Sequence, residues 1–372
     1  MDLVRIDGTD LDQHRALRAA DYVLFLTGGC LLRPDALAEL VTLARERSAD
    51  VVYGKERYVD ASGVPLPAKE KPEFASDLLI CRPFLGPAVL YSSRAFAIDT
   101  SRAARTGLEA LGYDVALRST ERAERIAYLP HVVCQVWQSP ANELERVEAS
   151  RRARAAELEA AEAALLRRGL RARLEHAATP GTFRLRYPVP EGTVQVVVPE
   201  STPARGVERA LASLRRHTKR SNVTIGVLPA EAPLPRAADY LVIVDRSVEA
   251  LHDGWLECLL EELAFPGAVA VSPKLVSPRG GSVYTGGTAA AHELDLADAS
   301  RETTSLHPAC VALSTRELEG ELPRDLRARS GALAEATERW QKLGRSVRYT
   351  PHTAFCIHHE LEPSETRPRT SA

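Results

Sequence analysis

Short apolar runs alternate with amphipathic stretches along most of the chain. Asp21-Tyr-Val-Leu-Phe-Leu26 is apolar and aromatic-rich, which predicts a buried strand. Pro34 then opens a helix to about Arg47, with Leu37, Leu40, Val41 and Ala44 on one face. Ala49-Asp-Val-Val-Tyr53 is the next strand, and Gly54 to Pro83, rich in Pro, Lys and Glu, is predicted as an irregular loop. Gly86 to Tyr91 is a short strand, Asp114 to Glu124 is helical, and Ile126 to Trp137 is strand again. Residues 142–168 form a charged, Ala-rich surface helix with Glu and Arg at i,i+3 and i,i+4 spacing. An extended segment, Thr182 to Pro188, comes next.

The pattern then starts over. Val194-Gln-Val-Val-Val-Pro199 is a strand, Val207 to His217 a helix, Val223 to Leu228 and Asp239 to Asp245 strands, and Trp255 to Leu263 a helix. Strands alternating with helices predict an α/β fold with mostly parallel sheets covered on both faces. The second half also echoes the first in sequence. Ala20-Asp-Tyr-Val-Leu-Phe-Leu26 before Pro34-Asp-Ala-Leu matches Ala238-Asp-Tyr-Leu-Val-Ile-Val244 before Asp253-Gly-Trp-Leu. Ile126-Ala-Tyr-Leu-Pro-His131 matches Val347-Arg-Tyr-Thr-Pro-His352. An internal repeat of a whole α/β block predicts tandem domains: residues 1–140, a helical and extended connector over 141–190, a second domain over 191–360, and a disordered polar tail over 361–372.

Composition narrows the partners. A formal net charge of -2, with basic residues interleaved among acids, gives no reason to expect nucleic acid or an anionic membrane as partner. The longest apolar run is too short to span a bilayer, so no transmembrane segment is expected. Asp2, Arg5, Asp7 and Asp10 interrupt any signal-peptide core, so the expected location is cytoplasmic, with a peripheral place at the inner face of a membrane left open. The six cysteines form no C-x-x-C pair, and most, lying in apolar runs, are read as buried free thiols.

The order of these pieces resembles bacterial family 2 glycosyltransferases, which have the GT-A fold. The A-D-Y-[VL] strands, Lys71-Pro-Glu-Phe-Ala-Ser-Asp-Leu-Leu79, Gly86-Pro-Ala-Val-Leu-Tyr91 and the connector Pro180-Gly-Thr-Phe-Arg-Leu-Arg-Tyr-Pro188 are similar to that family. So are Val269 to Leu275, Thr285-Gly-Gly287 with His292, and Tyr349-Thr-Pro-His352 through His359-Glu360. The resemblance implies two tandem GT-A-like (nucleotide-diphospho-sugar transferase) domains. It also implies that the first is truncated at its N-terminus, because only about twenty residues precede Asp21 and Asp7-Gly-Thr9 matches only a fragment of the family's D-G-S/T loop.

The same resemblance points to where the chemistry should be. The family holds a divalent metal on an acidic triplet at a strand end, where the cation screens charge developing on the departing diphosphate. Here the triplets are Thr27-Gly28-Gly29 and Asp245-Arg246-Ser247. Asp245 has two readings, a remnant of the ligand set or a residue that ends its strand and caps the next turn of the chain. The family's general base falls on Gly112 in the first copy and Leu333 in the second. A later acid remains in each, Asp114 and Glu335, whose plainer reading is as helix N-terminal acids facing the dipole. The nucleotide-gripping acid is replaced in Gly226-Val227-Leu228-Pro229-Ala230. The His of the family's late Tyr-His is only partly kept: Cys134-Gln135 stands there in the first copy, and His358-His359-Glu360 survives in the second.

Loss of a general base typically lowers turnover by about 10²–10⁴-fold. The expectation is therefore a protein with no catalytic residue, no metal site and no cofactor, working as a binding or scaffold partner in cell-surface glycan assembly. Asp114, Asp245, His292 and Glu335 are the candidate substrate-binding residues, for weak binding of a nucleotide sugar or glycan. The expected partner is an active glycosyltransferase or another glycan-assembly protein. The alternative is an active, metal-independent glycosyltransferase.

Overall fold

The structure is a computed structural model. It describes residues 5–6, 20–27, 29–60, 62–66, 71–99, 108–137, 143–177, 179, 181–200, 204–229, 232–287, 298–318, 321 and 330–358. Asp7-Gly-Thr9, Gly28, Ala230, His292, His359, Glu360 and the tail 361–372 lie outside the described residues. The described chain divides into two compact units, one running to Arg186 and including residues 298–300, the other made of the rest.

The first unit contains β1 (Arg5–Ile6), β2 (Tyr22–Leu26), β3 (Cys30–Leu32), α1 (Ala36–Arg47), β4 (Val51–Val59), α2 (Ser76–Cys81), β5 (Ala88–Ser92), α3 (Leu108–Arg122), β6 (Ile126–Trp137), α4 (Glu143–Arg167), β7 (Arg173–His176) and β8 (Phe183–Arg186). Its main sheet has the order β1-β2-β5-β4-β6-β3. Leu40, Val41 and Ala44 of α1 pack on Leu24, Val52, Leu90 and Val133 of the sheet, as the i,i+1,i+4 spacing requires. Ser48 ends the helix in the left-handed region at φ 47°, and its amide bonds back to the carbonyls of Ala44 and Arg45.

The second unit contains β9 (Val194–Pro199), α5 (Ala204–His217), β10 (Val223–Leu228), β11 (Tyr240–Val244), β12 (Val248–Ala250), α6 (Trp255–Leu263), β13 (Ala268–Val276), β14 (Ser282–Tyr284), β15 (Arg301–Glu302), β16 (Cys310–Ser314), α7 (Ser330–Lys342) and β17 (Ser346–Ile357). The sheet runs β10-β9-β11-β16-β13-β17-β12, with β14 on β13 and β15 on β17. Period-two alternation divides its strands between two cores. Val196, Val198, Val242 and Val244 join Leu211, Leu214, Trp255 and Leu259 of α5 and α6. Val197, Leu241 and Ile243 face the other way, onto Leu333, Ala336 and Trp340 of α7. Arg348 is buried in this unit, paired with Glu262 at 2.8 Å and lying 3.9 Å from the Phe265 ring centroid.

The repeat read in the sequence is a repeat of topology. The series β1-β2-β5-β4-β6-β3 corresponds strand for strand to β9-β11-β16-β13-β17-β12. The orientations agree at every step: parallel, antiparallel, antiparallel, parallel, antiparallel. Hydrogen bonds repeat as well. The Ser93 amide donates to Asp21 O at 3.1 Å and its hydroxyl to Ala20 O, while Thr315 does the same to Asp239 O and Ala238 O.

Several expectations need correction. The sheets are mixed, not mostly parallel, because β5 and β16 enter each sheet antiparallel to both neighbours. The stretch predicted as loop from Gly54 holds the second half of β4 and helix α2. Its charged residues hid the strand, since Glu56 points inward against the buried ammonium of Lys71. Lys71 also donates to Leu85 O at 2.8 Å. Gly86, at φ +87°, passes so close that an added Cβ would strike both Lys71 Nζ and Glu56 Oε2. Arg5–Ile6 pairs parallel with β2 as β9 does with β11, so the first sheet holds a two-residue piece of the strand read as missing. Finally, α3 begins at Leu108, six residues before Asp114.

Asp50 joins three parts of the first unit. Its carboxylate, 2% exposed, accepts from Ser92 Oγ at 2.8 Å, from Arg94 Nε at 2.5 Å and Nη2 at 3.0 Å, and from the Glu124 amide at 2.9 Å. Burial alone would push this carboxyl up; the bonds from Arg94, Ser92 and the amides of Glu124 and Arg125 outweigh it and hold the group well below the usual carboxylate range. A depressed folded pKa stabilises above the unfolded value of about 3.9, and that stabilisation is lost as pH falls toward the folded value. Asp50→Asn is expected to lower stability by about 2 kcal/mol at pH 7 in urea unfolding, and the deficit should shrink as pH is taken below 4.

Helix α3 is buried on most of its surface, including Leu111, Tyr113, Val115, Ala116 and Leu117. Part of its cover is α4, whose Ala160, Ala161, Ala164 and Leu165 are buried and whose Arg167 bonds Glu121 at 2.6 Å. A fragment of residues 1–140 lacks that cover and is expected to be insoluble or molten; a soluble fragment with a cooperative thermal transition would contradict this.

Candidate functional site

Each sheet carries its triplet at the same station. The amide of Thr27 donates to Pro87 O at 2.9 Å, and that of Asp245 to Ala309 O at 2.8 Å, each anchoring the strand end to the neighbouring antiparallel strand. At the far end of the triplet, Gly29 O accepts from the Trp137 amide at 3.1 Å and Ser247 O from the His358 amide at 2.8 Å. Thr27 and Asp245 are therefore structurally equivalent, as are Gly29 and Ser247.

In the first unit Thr27 is packed against a helix. Helix α3 brings Gly112 against Thr27 so closely that a Cβ at Gly112 would lie 2.7 Å from the Thr27 methyl and 3.5 Å from Phe25 Cε1. The structure thus brings together the two positions that the family resemblance marks for metal and base, and neither offers a carboxylate. Asp114 sits mid-helix, not at a helix N-terminus, and is 1% exposed. Its Oδ2 accepts from Arg118 Nε at 2.8 Å, and Arg118 Nη2 reaches Asp99 at 2.9 Å. This arrangement makes Asp114 part of a buried ion-pair network.

In the second unit Asp245 Oδ1 accepts from the Ser247 amide at 2.8 Å and from its hydroxyl at 2.5 Å. This is an aspartate turn, the capping reading of Asp245. Leu333 is buried in the core beneath α7, while Glu335 is on the exposed face of that helix. No hydrogen bond or ion pair joins Asp245 to Glu335 among the described residues. His358 is the counterpart of Trp137, so Cys356, not His358, stands at the station of Gln135. His358 Nε2 lies 2.9 Å from Glu249 Oε1, which also takes Arg209 Nε at 2.8 Å.

One cavity escaped the sequence reading. About 480 Å³ in volume, it lies in the first unit beside edge strand β3, with Leu31, Arg33, Glu39, Arg57, His131 and Gln135 in its wall. Arg33 Nε donates to Val132 O at 2.9 Å and its Nη2 to Glu39 Oε1 at 2.5 Å, while His131 Nδ1 is 3.0 Å from Glu39 Oε2. The bond from Arg33, then that from His131, pulls the Glu39 carboxyl below its ordinary value. The only sequence signal was the polar run Lys55-Glu-Arg57, whose alternation sends Glu56 inward and Arg57 to the cavity.

Among solved structures the chain is similar to GalNAc-T7 with UDP, GalNAc and Mn2+ (10% identity, TM-score 0.39, 50% of this chain and 47% of that one). It is also similar to the mannosyltransferase PcManGT from Pyrobaculum calidifontis in complex with GDP-Man and Mn2+ (13%, 0.35, 46% and 58%). A third is S. aureus TarS in complex with UDP-GlcNAc (17%, 0.28, 40% and 46%). The chain spans about half the length of these glycosyltransferase structures. Likenesses this partial decide neither a fold nor an activity. No protein-family model and no curated protein matches the chain.

The geometry at Asp245 makes a checkable statement. Asp245→Ala is expected to lower stability by about 1 kcal/mol in urea unfolding, the ordinary loss for turn hydrogen bonds. An unchanged midpoint would show that the carboxylate is free for another role.

Proposed function

We propose that the chain is a pair of GT-A-like domains of family 2 glycosyltransferase type that have lost metal-dependent sugar transfer, and that it works as a binding or scaffold subunit in bacterial cell-surface glycan assembly. The observation that carries this is the contact between Thr27 and Gly112. A transferase of this class needs carboxylates at those two stations, one to hold the metal and one to take the acceptor's proton. Here a methyl group packs against helix backbone, and a side chain at 112 would have no room. The second copy supports the same reading: the Asp245 carboxylate is engaged by Ser247, and Leu333 is core. The repeat of strand order in both units supports the tandem arrangement. An active glycosyltransferase of the same assembly is the natural partner. With so little catalytic machinery, retained fold alone says little about activity.

Purified chain given manganese and common UDP- and GDP-sugars is expected to release no nucleoside diphosphate above a no-enzyme control. Robust manganese-stimulated release would overturn the reading, and release that persists in EDTA would assign a metal-independent transferase instead.

A further inference from the structure

We propose that the cavity beside β3 binds a small organic anion, a carboxylate or phosphate carried on a body of about sugar size, with Arg57 as its anchor. The inference stands on the first unit alone and does not depend on the glycosyltransferase reading. It begins with the charges in the wall. Glu39 is the carboxylate of the cavity, and both its oxygens are taken: Oε1 by Arg33 and Oε2 by His131. Arg33 is further fixed by Val132 O. Arg57 is half-buried on β4, and its guanidinium makes no hydrogen bond or ion pair with any described residue. The wall therefore carries a cation whose planar fork of donors is unanswered, the geometry that a carboxylate or phosphate completes in bidentate fashion.

Strand register places the other groups. Arg57 is opposite Gln135, and Gln135 is opposite Leu31, so a guanidinium, an amide and an apolar side chain form one row across β4, β6 and β3. Leu31 is 60% exposed, unusual for a leucine in a strand. Such a row suits a ligand with an acid group, hydroxyls and an apolar face. The volume of about 480 Å³ falls in the range of small-molecule sites and far exceeds what a bare phosphate fills. Glu39, held between Arg33 and His131, is already paired before a ligand binds and leaves Arg57 to the ligand.

The test is calorimetric titration of the intact chain with glucuronate, glucose 1-phosphate, inorganic phosphate and glucose. At least one of the two acidic sugars should bind, and which one does distinguishes carboxylate from phosphate as the recognised group. Glucose should not bind. Arg57→Gln should weaken binding by about 10-fold or more, and Arg57→Lys should retain part of it. Because the Arg57 guanidinium has no partner among the described residues, Arg57→Gln should melt within a degree or so of the wild type, which separates lost binding from lost folding. Absence of binding by both acidic sugars at millimolar concentration overturns the proposal, as does undiminished binding by a folded Arg57→Gln protein. Inorganic phosphate binding as tightly as glucose 1-phosphate would overturn the claim that the body of the ligand is recognised.

Discussion

The antiparallel pairing of β2 with β5, repeated as β11 with β16, is the contact on which both sheets depend. It joins the parallel pair at one side of each sheet to the strands beyond, and it is clamped at both ends. At one end the hydroxyl and amide of Ser93 or Thr315 close on the carbonyls of the A-D-Y motif. At the other, a carbonyl just before β5 or β16 takes the first amide of the triplet. With both ends fixed by backbone groups, the triplet is placed by main-chain hydrogen bonding whatever its side chains are. The strand ends therefore hold the same positions in both units although the residues there differ.

The side chains at these strand ends differ between the two units. In the first, apolar contact closes the space. In the second, the remaining acid turns onto its own chain. Both arrangements leave no unpaired carboxylate among the described residues at these strand ends. The polar features left over are segregated elsewhere: Asp114 and Arg118 in the helix layer, Glu249 with Arg209 and His358 around β12, and the arginine-walled cavity at the edge of the first sheet.

Most of this framework was legible in the residues. Ile126–Trp137, Val194–Pro199, Val223–Leu228 and Trp255–Leu263 agree with their elements to the residue, because apolar runs of that length have one economical burial. The strand from Lys55 to Val59 was not legible, since its inward-facing Glu56 is tolerated only through Lys71, fifteen residues on and unknowable from local pattern. Asp114 was misplaced for a related reason: α3 continues upstream through Gly112, which local propensity disfavours and packing against Thr27 demands. The triplets could be found by motif, yet the turn at Ser247 and the methyl filling at Thr27 are three-dimensional facts. The cavity had no linear signature, because its wall is drawn from three strands and the start of a helix.

Gly86 carries a consequence for how this sequence can change. Its left-handed backbone runs directly over the buried ammonium and carboxylate of Lys71 and Glu56. Any side chain there must displace one of two charges that have no solvent to retreat into, and removing either charge strands the other. Positions 56, 71 and 86 are thus physically coupled. Among divergent copies of this fold, they should be kept together or exchanged together, with a side chain appearing at 86 where the ion pair has given way to apolar residues.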